Sequence, residues 1–398
     1  MIGLIADDLT GAGDASVQFA KRGWRTLLLL VPQVRLKPDT TDGRAIPEVR
    51  LEPDTTDGRA TPEVRLEPDT IEERVVSGFS RTSVIAVTTD CRALSNEAAK
   101  KLTAAALTSL MNAGVNRVFL KIDSTMRGSV PGQIAGALAA WRTVHPDARA
   151  FVCPAYPLMG RTVESGRLLV NGEPVERTSF GSDPVTPVKA SDMSELLGES
   201  STIRRFDAAT DADLMRIAEL ISTAGASVIP VGSAGLAEAI SEVWSGREES
   251  IRRTQRDARR PPGASQTKSR ILLQVSSMNP VSHTQVSRLK AVFPDVVVIS
   301  PPQARGDSAA VAADLAREFA TRLKSGQWDV LGMIGGDGAR ETLRTLGASG
   351  IRIVDSLIEG VPHGVIEGGE ADQMPVFTKA GGFGAEDALV RCVERMTA

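Results

Sequence analysis

Met1-Ile-Gly-Leu-Ile-Ala-Asp-Asp-Leu-Thr-Gly-Ala-Gly-Asp14 opens the chain. Ile2 to Ala6 is a short apolar run of the kind that forms a buried strand, and Ala12 to Arg22 has the pattern of a helix. Asp7, Asp8, Thr10 and Gly11 fall in the turn between them. Ligands of open α/β sheets bind outside the carboxyl ends of the strands. The turn is therefore the first candidate for a binding site.

The same rhythm continues outward. Arg25 to Val31, Ser83 to Thr88, Val115 to Ile122, Ala148 to Cys153 and Ser227 to Val231 read as strands. Asn96 to Met111, Pro131 to Trp141, Asp211 to Thr223 and the stretch from Gly232 to Trp244 read as helices. Gly160 to Pro187 is rich in Gly, Pro, Thr and Ser and predicts an extended loop or a small hairpin. Further strands are expected at Ile271–Val275, Val296–Ser300, Val330–Ile334, Ile351–Asp355 and Pro375–Thr378. Helices are expected near Ser282–Val292, Ala309–Lys324, Ala339–Leu346 and Glu386–Met396. Strands alternating with helices imply parallel sheets covered on both faces.

The expectation is an α/β protein of two domains, each a mainly parallel sheet with flanking helices. Residues 1–245 form the first and 271–398 the second, with an arginine-rich, proline-containing linker at 246–270 and an active site in the cleft between. A near-repeat starting at Val34, Val49 and Val64 makes residues 34–70 a tandem insertion with few apolar groups to bury. No catalytic role is expected of it.

Composition narrows the class. The 398 residues are 42% hydrophobic and 24% charged, as in ordinary globular proteins, with room for two domains. A net charge of −3 argues against nucleic acid and anionic membranes as partners. Three cysteines and three histidines lie too far apart for metal-ligand spacing, and the chain opens on a strand rather than a leader. Leu27 to Val31 is too short to span a bilayer. A cytoplasmic protein with reduced, buried thiols is expected, and homo-oligomer formation is left open.

Asp7-Asp8, Asp90 and Asp123 each follow an apolar strand. On parallel strands they gather at one edge, although a single such aspartate is often only a helix cap. Lys121 and Asp123 share strand parity, and Arg127 follows closely. Arg127 suits a substrate carboxylate, which a guanidinium grips through two parallel hydrogen bonds. A carboxylate facing a hydroxyl is a natural general base. In the second domain, Ile334-Gly-Gly-Asp-Gly-Ala339 and Thr378-Lys-Ala-Gly-Gly-Phe-Gly384 each lie between a strand and a helix. Bare backbone N–H groups at such sites bind phosphate, and Lys379 is placed to face one. The pattern is neither a Walker loop nor a dinucleotide fingerprint. An acidic polyol site and a phosphate site together suggest a kinase.

Several stretches resemble the four-carbon acid sugar kinases. They are Ala6-Asp-Asp-Leu-Thr-Gly-Ala12, Lys121-Ile-Asp-Ser-Thr-Met-Arg-Gly128, Pro154-Ala-Tyr-Pro157 with Gly160-Arg-Thr162, and Thr178 with Asp183-Pro184. Gly232-Ser-Ala-Gly-Leu-Ala237, Gly335-Gly-Asp-Gly338 and Thr378-Lys-Ala-Gly-Gly-Phe-Gly384 complete the set, in the family's order. The resemblance implies ATP-dependent phosphorylation of threonate, erythronate or 3-oxo-tetronate to the 4-phosphate. ATP and the small sugar acid are the partners it implies, and Mg²⁺ normally bridges the nucleotide oxygens in such transfers. Asp8 or Asp123 would be the catalytic base, and Asp7, Lys121, Ser124 and Arg127 would bind the acid. Ser277, Gly335, Gly336, Asp337, Gly338, Lys379, Gly381 and Gly382 would hold the nucleotide. Two positions depart from the family pattern. Ser276-Ser277 stands for Gly-Ser, and Gly338 stands for a threonine.

Two other classes stay in view. Thr10-Gly-Ala-Gly-Asp14 looks like the anion-hole motif of ribokinase-type kinases, but it lies at the wrong end of the chain, and Asp14 should sit inside the first helix. A non-catalytic regulator on the same fold has only the two departures in its favour.

Overall fold

The computed structural model describes residues 1–30, 84–245, 269–301 and 308–397. The tandem repeat at 34–70 and residues 246–268 of the expected 246–270 linker lie outside the described residues.

β1 (Ile2–Ala6) is buried at every residue, and α1 (Leu9–Lys21) follows after two residues. The helix begins three residues earlier than its composition predicts because Asp8 caps it. The Asp8 side chain accepts a hydrogen bond from the Gly11 N–H. β2 (Thr26–Leu29), β3 (Val84–Thr88), α2 (Asn96–Asn112), β4 (Arg117–Lys121), α3 (Val130–Trp141) and β5 (Arg149–Cys153) come next. The Gly/Pro-rich stretch forms a small antiparallel sheet of β6 (Arg161–Glu164), β7 (Arg167–Val170) and β8 (Glu173–Pro174). α4 (Met193–Leu197), β9 (Ile203–Arg205), α5 (Asp211–Ala224), β10 (Val228–Gly232) and α6 (Ala234–Ser245) complete this half.

The second half contains β11 (Ile271–Val275), α7 (Pro280–Val292), β12 (Val297–Ile299), α8 (Ser308–Ser325), β13 (Val330–Ile334) and α9 (Gly336–Thr345). It ends with β14 (Gly350–Ile358), β15 (Val361–Glu367), β16 (Pro375–Lys379) and α10 (Ala388–Thr397).

The α/β class is as expected, with one difference in how the sheets are joined. Among the described residues the main strands form one 13-stranded sheet, in the order β12-β11-β13-β16-β15-β14-β2-β3-β1-β4-β10-β5-β9. Pairings from β2 to β9 are parallel, as are those of β12, β11, β13 and β16. Between these blocks β16, β15, β14 and β2 pair antiparallel. β14 and β2 form the seam, with Ile351 opposite Leu28 and Arg352 opposite Leu27. One apolar cluster runs beneath it, from Leu4 and Phe119 to Leu331 and Val376.

Two register facts place the site. Ala6 lies level with Lys121, so the residues following β1 and β4 emerge together. Ile334 lies level with Lys379, so the two glycine-rich loops also emerge together.

Leu28 is almost fully buried at the seam. Leu28→Ala should cost about 2–5 kcal/mol in urea unfolding. A loss well below that range would mean the seam is not packed as described.

Candidate active site

Beyond β1 and β4 the chain crowds carboxylates around guanidinium groups. Asp7 is fully buried, and its two oxygens accept from Arg92 Nε at 2.8 Å and Nη2 at 2.9 Å. The same Nη2 lies 2.9 Å from Asp8 Oδ1 and 3.9 Å from Asp123 Oδ1. Asp123 accepts from Arg127 Nε at 3.0 Å and Nη2 at 2.9 Å, and also from the Thr125 hydroxyl. Arg127 Nη1 reaches Asp183 Oδ2 at 3.3 Å.

Burial raises the Asp7 carboxyl despite Arg92. Burial works against Asp8 as well, but Arg92, Lys121 and hydrogen bonds from Thr10 and Gly11 bring it below the usual range. Asp123 is buried too, yet Arg127 and Arg92 hold it well below that range.

A cavity of about 590 Å³ opens onto this cluster, walled by both halves of the chain. Of the residues expected from sequence, Asp8, Lys121, Asp123, Ser124, Arg127, Gly336, Gly381 and Gly382 line it. The other expected residues do not. Asp7 stands behind Arg92 as its anchor. Asp90, which strand ends had suggested as part of the cluster, instead pairs with Arg340 of α9 at 2.5 Å.

Sequence reasoning missed several lining residues, among them Asp14, Arg92, Tyr156 and Arg161. Arg127 was expected to grip a substrate carboxylate, but its guanidinium is already divided between Asp123 and Asp183. Arg161 is better placed. It lies at the start of β6, stacks over Phe180 with its carbon 5.7 Å from the ring centre, and makes no ion pair with a described residue. Its Nη1 donates to the Met159 carbonyl, its Nε is buried without a hydrogen-bond partner among the described residues, and burial lowers its affinity for the proton. Lys121 is also unpaired by any described carboxylate within 4.0 Å, its ammonium donating to the Ile122 carbonyl at 2.9 Å. Gly11 makes room for it, since a Cβ there would sit 3.0 Å from Lys121 Nζ and 2.5 Å from Asp8 Oδ1.

On the opposite wall, Gly335 adopts φ 105° and turns β13 into α9, exposing backbone N–H groups at the helix start. Gly381 and Gly382 pack against Ser277 and Asn279, where a side chain would collide. Ser277 thus supports the loop from behind, tied to Ser282, whose hydroxyl donates to the Gly381 carbonyl at 2.6 Å. Lys379 departs from the expectation. It is fully buried, and Nζ donates to the carbonyls of Ala380, Gly381 and Phe383 at 2.8, 3.0 and 2.8 Å. Its three protons shape the loop rather than meet a phosphate. Asp337 is exposed and only loosely paired with Arg340, at 3.7 Å.

The two departures from the family pattern are one exchange. A Cβ at Gly338 would strike the Ser276 side chain, which fills the space and donates toward the Ile334 carbonyl at 3.2 Å. Serine at 276 requires glycine at 338.

Among the described residues there is no group of three acidic, histidine or cysteine side chains able to hold a metal ion. The cavity acids near Arg92 and Arg127 are already matched by cations. These residues do not fit a protein-held Mg²⁺.

Comparison with known proteins bears on this geometry directly. Residues 2–205 match a sugar-binding N-terminal domain and residues 304–389 a nucleotide-binding C-terminal domain. A D-threonate kinase of Bordetella bronchiseptica is 34% identical, over 99% of this chain and 96% of its own. The chain belongs to the four-carbon acid sugar kinase family. It is an ATP-dependent carbohydrate kinase. A D-erythronate kinase of Heliobacterium modesticaldum is 24% identical over 98% of the chain and 96% of its own. Solved proteins from Salmonella typhimurium and Haemophilus influenzae share the fold, with TM-scores of 0.66 and 0.65 at 18% and 17% identity, each covering 98% of both chains. No helix among the described residues of this kinase is long and apolar enough to cross a membrane.

Two outcomes test the site's construction. Arg92→Met strands a buried Asp7 and should cost about 3–5 kcal/mol in urea unfolding at neutral pH, largely recovered by adding Asp7→Asn. A loss under about 1 kcal/mol would place Arg92 outside the network. Gly338→Thr should lower thermal stability, and the double variant Ser276→Gly/Gly338→Thr should regain most of it. Purely additive effects in differential scanning fluorimetry would contradict the exchange.

Proposed function

We propose that the enzyme transfers the γ-phosphate of ATP to the terminal hydroxyl of a four-carbon sugar acid, of the threonate, erythronate or 3-oxo-tetronate kind, giving the 4-phosphate. One observation carries this reading. A single cavity pairs two cations that lack carboxylate partners among the described residues, Lys121 and Arg161, with a glycine-lined wall from the other half of the chain. Unmatched cations in a cavity favour an anionic ligand, and a guanidinium suits a carboxylate. The names of the relatives, which include D-threonate, D-erythronate and 3-oxo-tetronate kinases, agree with that class.

In this reading residues 1–245 hold the acid and residues 271–398 the nucleotide. Arg161 and Lys121 take the carboxylate. Asp8, Asp123 and Ser124 accept from the substrate hydroxyls, with both carboxylates kept ionised by their cations. Arg127 and Asp7 hold that wall in place. The phosphates lie along Gly336, Gly381 and Gly382, near the start of α9, where N–H groups and the helix dipole favour negative charge. Gly335, Gly338, Ser277 and Lys379 set the shape of that wall, and Asp337 flanks it. Mg²⁺ would enter on the phosphates of ATP and offset their charge. The protein's share of the chemistry is positioning and charge stabilisation. Three buried thiols and the use of ATP suit a reducing cytoplasm.

A coupled ATPase-type assay across C4 acids, read as the ratio of catalytic efficiencies, tests this directly. Arg161→Ala should raise KM for the acid by about ten- to a hundredfold, the loss of a charged hydrogen bond, and leave KM for ATP nearly unchanged. An unchanged KM for the acid would remove Arg161 from the carboxylate site.

A further inference from the structure

Asp14 lies within α1, three residues after Gly11, and lines the cavity that Asp8 and Asp123 share. Its Oδ1 is buried and has no hydrogen-bond partner among the described residues. Aspartate is a poor helix former, and a buried acceptor without a donor is costly. Such an atom in a native structure calls for an explanation, and one is a donor that arrives with the substrate.

Position supplies the second observation. α1 is the helix on which both halves meet. A Cβ at Gly13 would lie 2.9 Å from Pro362 and 3.7 Å from the Thr378 hydroxyl, both in the second half. One turn before Asp14, the Thr10 methyl lies 3.5 Å from where a Gly336 Cβ would stand. Asp14 therefore faces the line along which an acid held by the first half meets a phosphate held by the second. Asp8 and Asp123 are less suited to take a proton. Each already accepts several hydrogen bonds, and guanidinium groups hold each ionised.

We propose that Asp14 is the catalytic base, accepting the proton of the substrate's terminal hydroxyl as that oxygen attacks the γ-phosphorus of ATP. This rests on the kinase reading above. The O–H bond breaks and its proton passes to Asp14, while the oxygen's electron pair forms the new O–P bond. The bond from the γ-phosphorus to the bridging oxygen breaks, and its electrons leave on ADP. Solvent then takes the proton from Asp14.

The surroundings suit this role. Burial raises the Asp14 carboxyl to about 6, with Lys121 opposing, Glu359 adding to the rise, and Lys21 and Asp8 acting more weakly. Tyr156, hydrogen-bonded to Glu359 of the second half, closes the same side. A base with a pKa near the working pH is more effective than one held far below it.

The test is turnover of D-threonate and D-erythronate with ATP, followed over roughly pH 5 to 9. Wild-type kcat should fall on an acid limb near the Asp14 value. Asp14→Asn should lower kcat by about 10²–10⁴ with little change in either KM, and lose the limb. Formate should restore part of the turnover of Asp14→Ala. An Asp14→Asn enzyme within about threefold of wild type, or one keeping the acid limb, overturns the proposal. If the Asp14 variants fail to fold, Glu359→Gln decides. Removing a negative neighbour should move the limb to lower pH, and a stationary limb counts against Asp14. A wild-type enzyme inactive on every four-carbon acid overturns the substrate reading itself, whereas an active wild type beside an active Asp14→Asn overturns only the base.

Discussion

The guanidinium of Arg92 makes the rest of the site possible. Asp7, Asp8 and Asp123 emerge from adjacent parallel strands, and like charges that close repel strongly in a partly dry cleft. Arg92 reaches all three from the loop after β3, binding Asp7 through both nitrogens of its fork. With Asp7 neutralised behind it, Arg92 leaves Asp8 free to cap α1 and Asp123 free to fix Arg127. This wall of the cavity is a charge lattice in which nearly every acid is paired. What remains without an ion-pair partner among the described residues, Lys121, Arg161 and Asp14, is offered to a ligand of this cavity.

The seam between β2 and β14 has a functional consequence. Because the two halves share one sheet there, α1 packs beside strands of both, and the cavity is walled by groups with a common frame. The Asp90–Arg340 pair adds a second fixed contact, close to the start of α9. Phosphoryl transfer depends on aligning two reactants, and a continuous sheet supplies that alignment more rigidly than a hinge would.

Much of this was legible in sequence where local physics decides the outcome. β1, β4, β13 and β16 are short apolar runs stopped by Asp, Gly or Lys, and a cavity opens at their ends. β15 was not legible, because Pro362 and Gly364 break the strand pattern and only pairing on both sides compensates. β15 ties β14 to β16, while the join itself is the pairing of β14 with β2, and which sheet edges meet is set by tertiary contact. Lys379 was misjudged for a related reason. A lysine is seldom fully buried, and only the folded loop reveals the three carbonyls that hold it there. Arg92 sits in a loop with no motif around the charge, and Arg161, though part of the Gly160-Arg-Thr162 stretch, starts a short strand whose neighbours are set by tertiary contact alone. Asp14 was legible in a motif at the wrong end of the chain and as a helix residue, but nothing in a sequence says which helix face meets a cavity.

The most direct measurement is a crystal structure of the enzyme with a four-carbon acid and a non-hydrolysable ATP analogue. The acid's carboxylate should lie on Lys121 and Arg161, its terminal hydroxyl should point toward the wall formed by α1, and the terminal phosphate should rest at the start of α9. A carboxylate bound among the glycine loops, or a nucleotide seated against Asp8 and Asp123, would contradict the arrangement of the two halves.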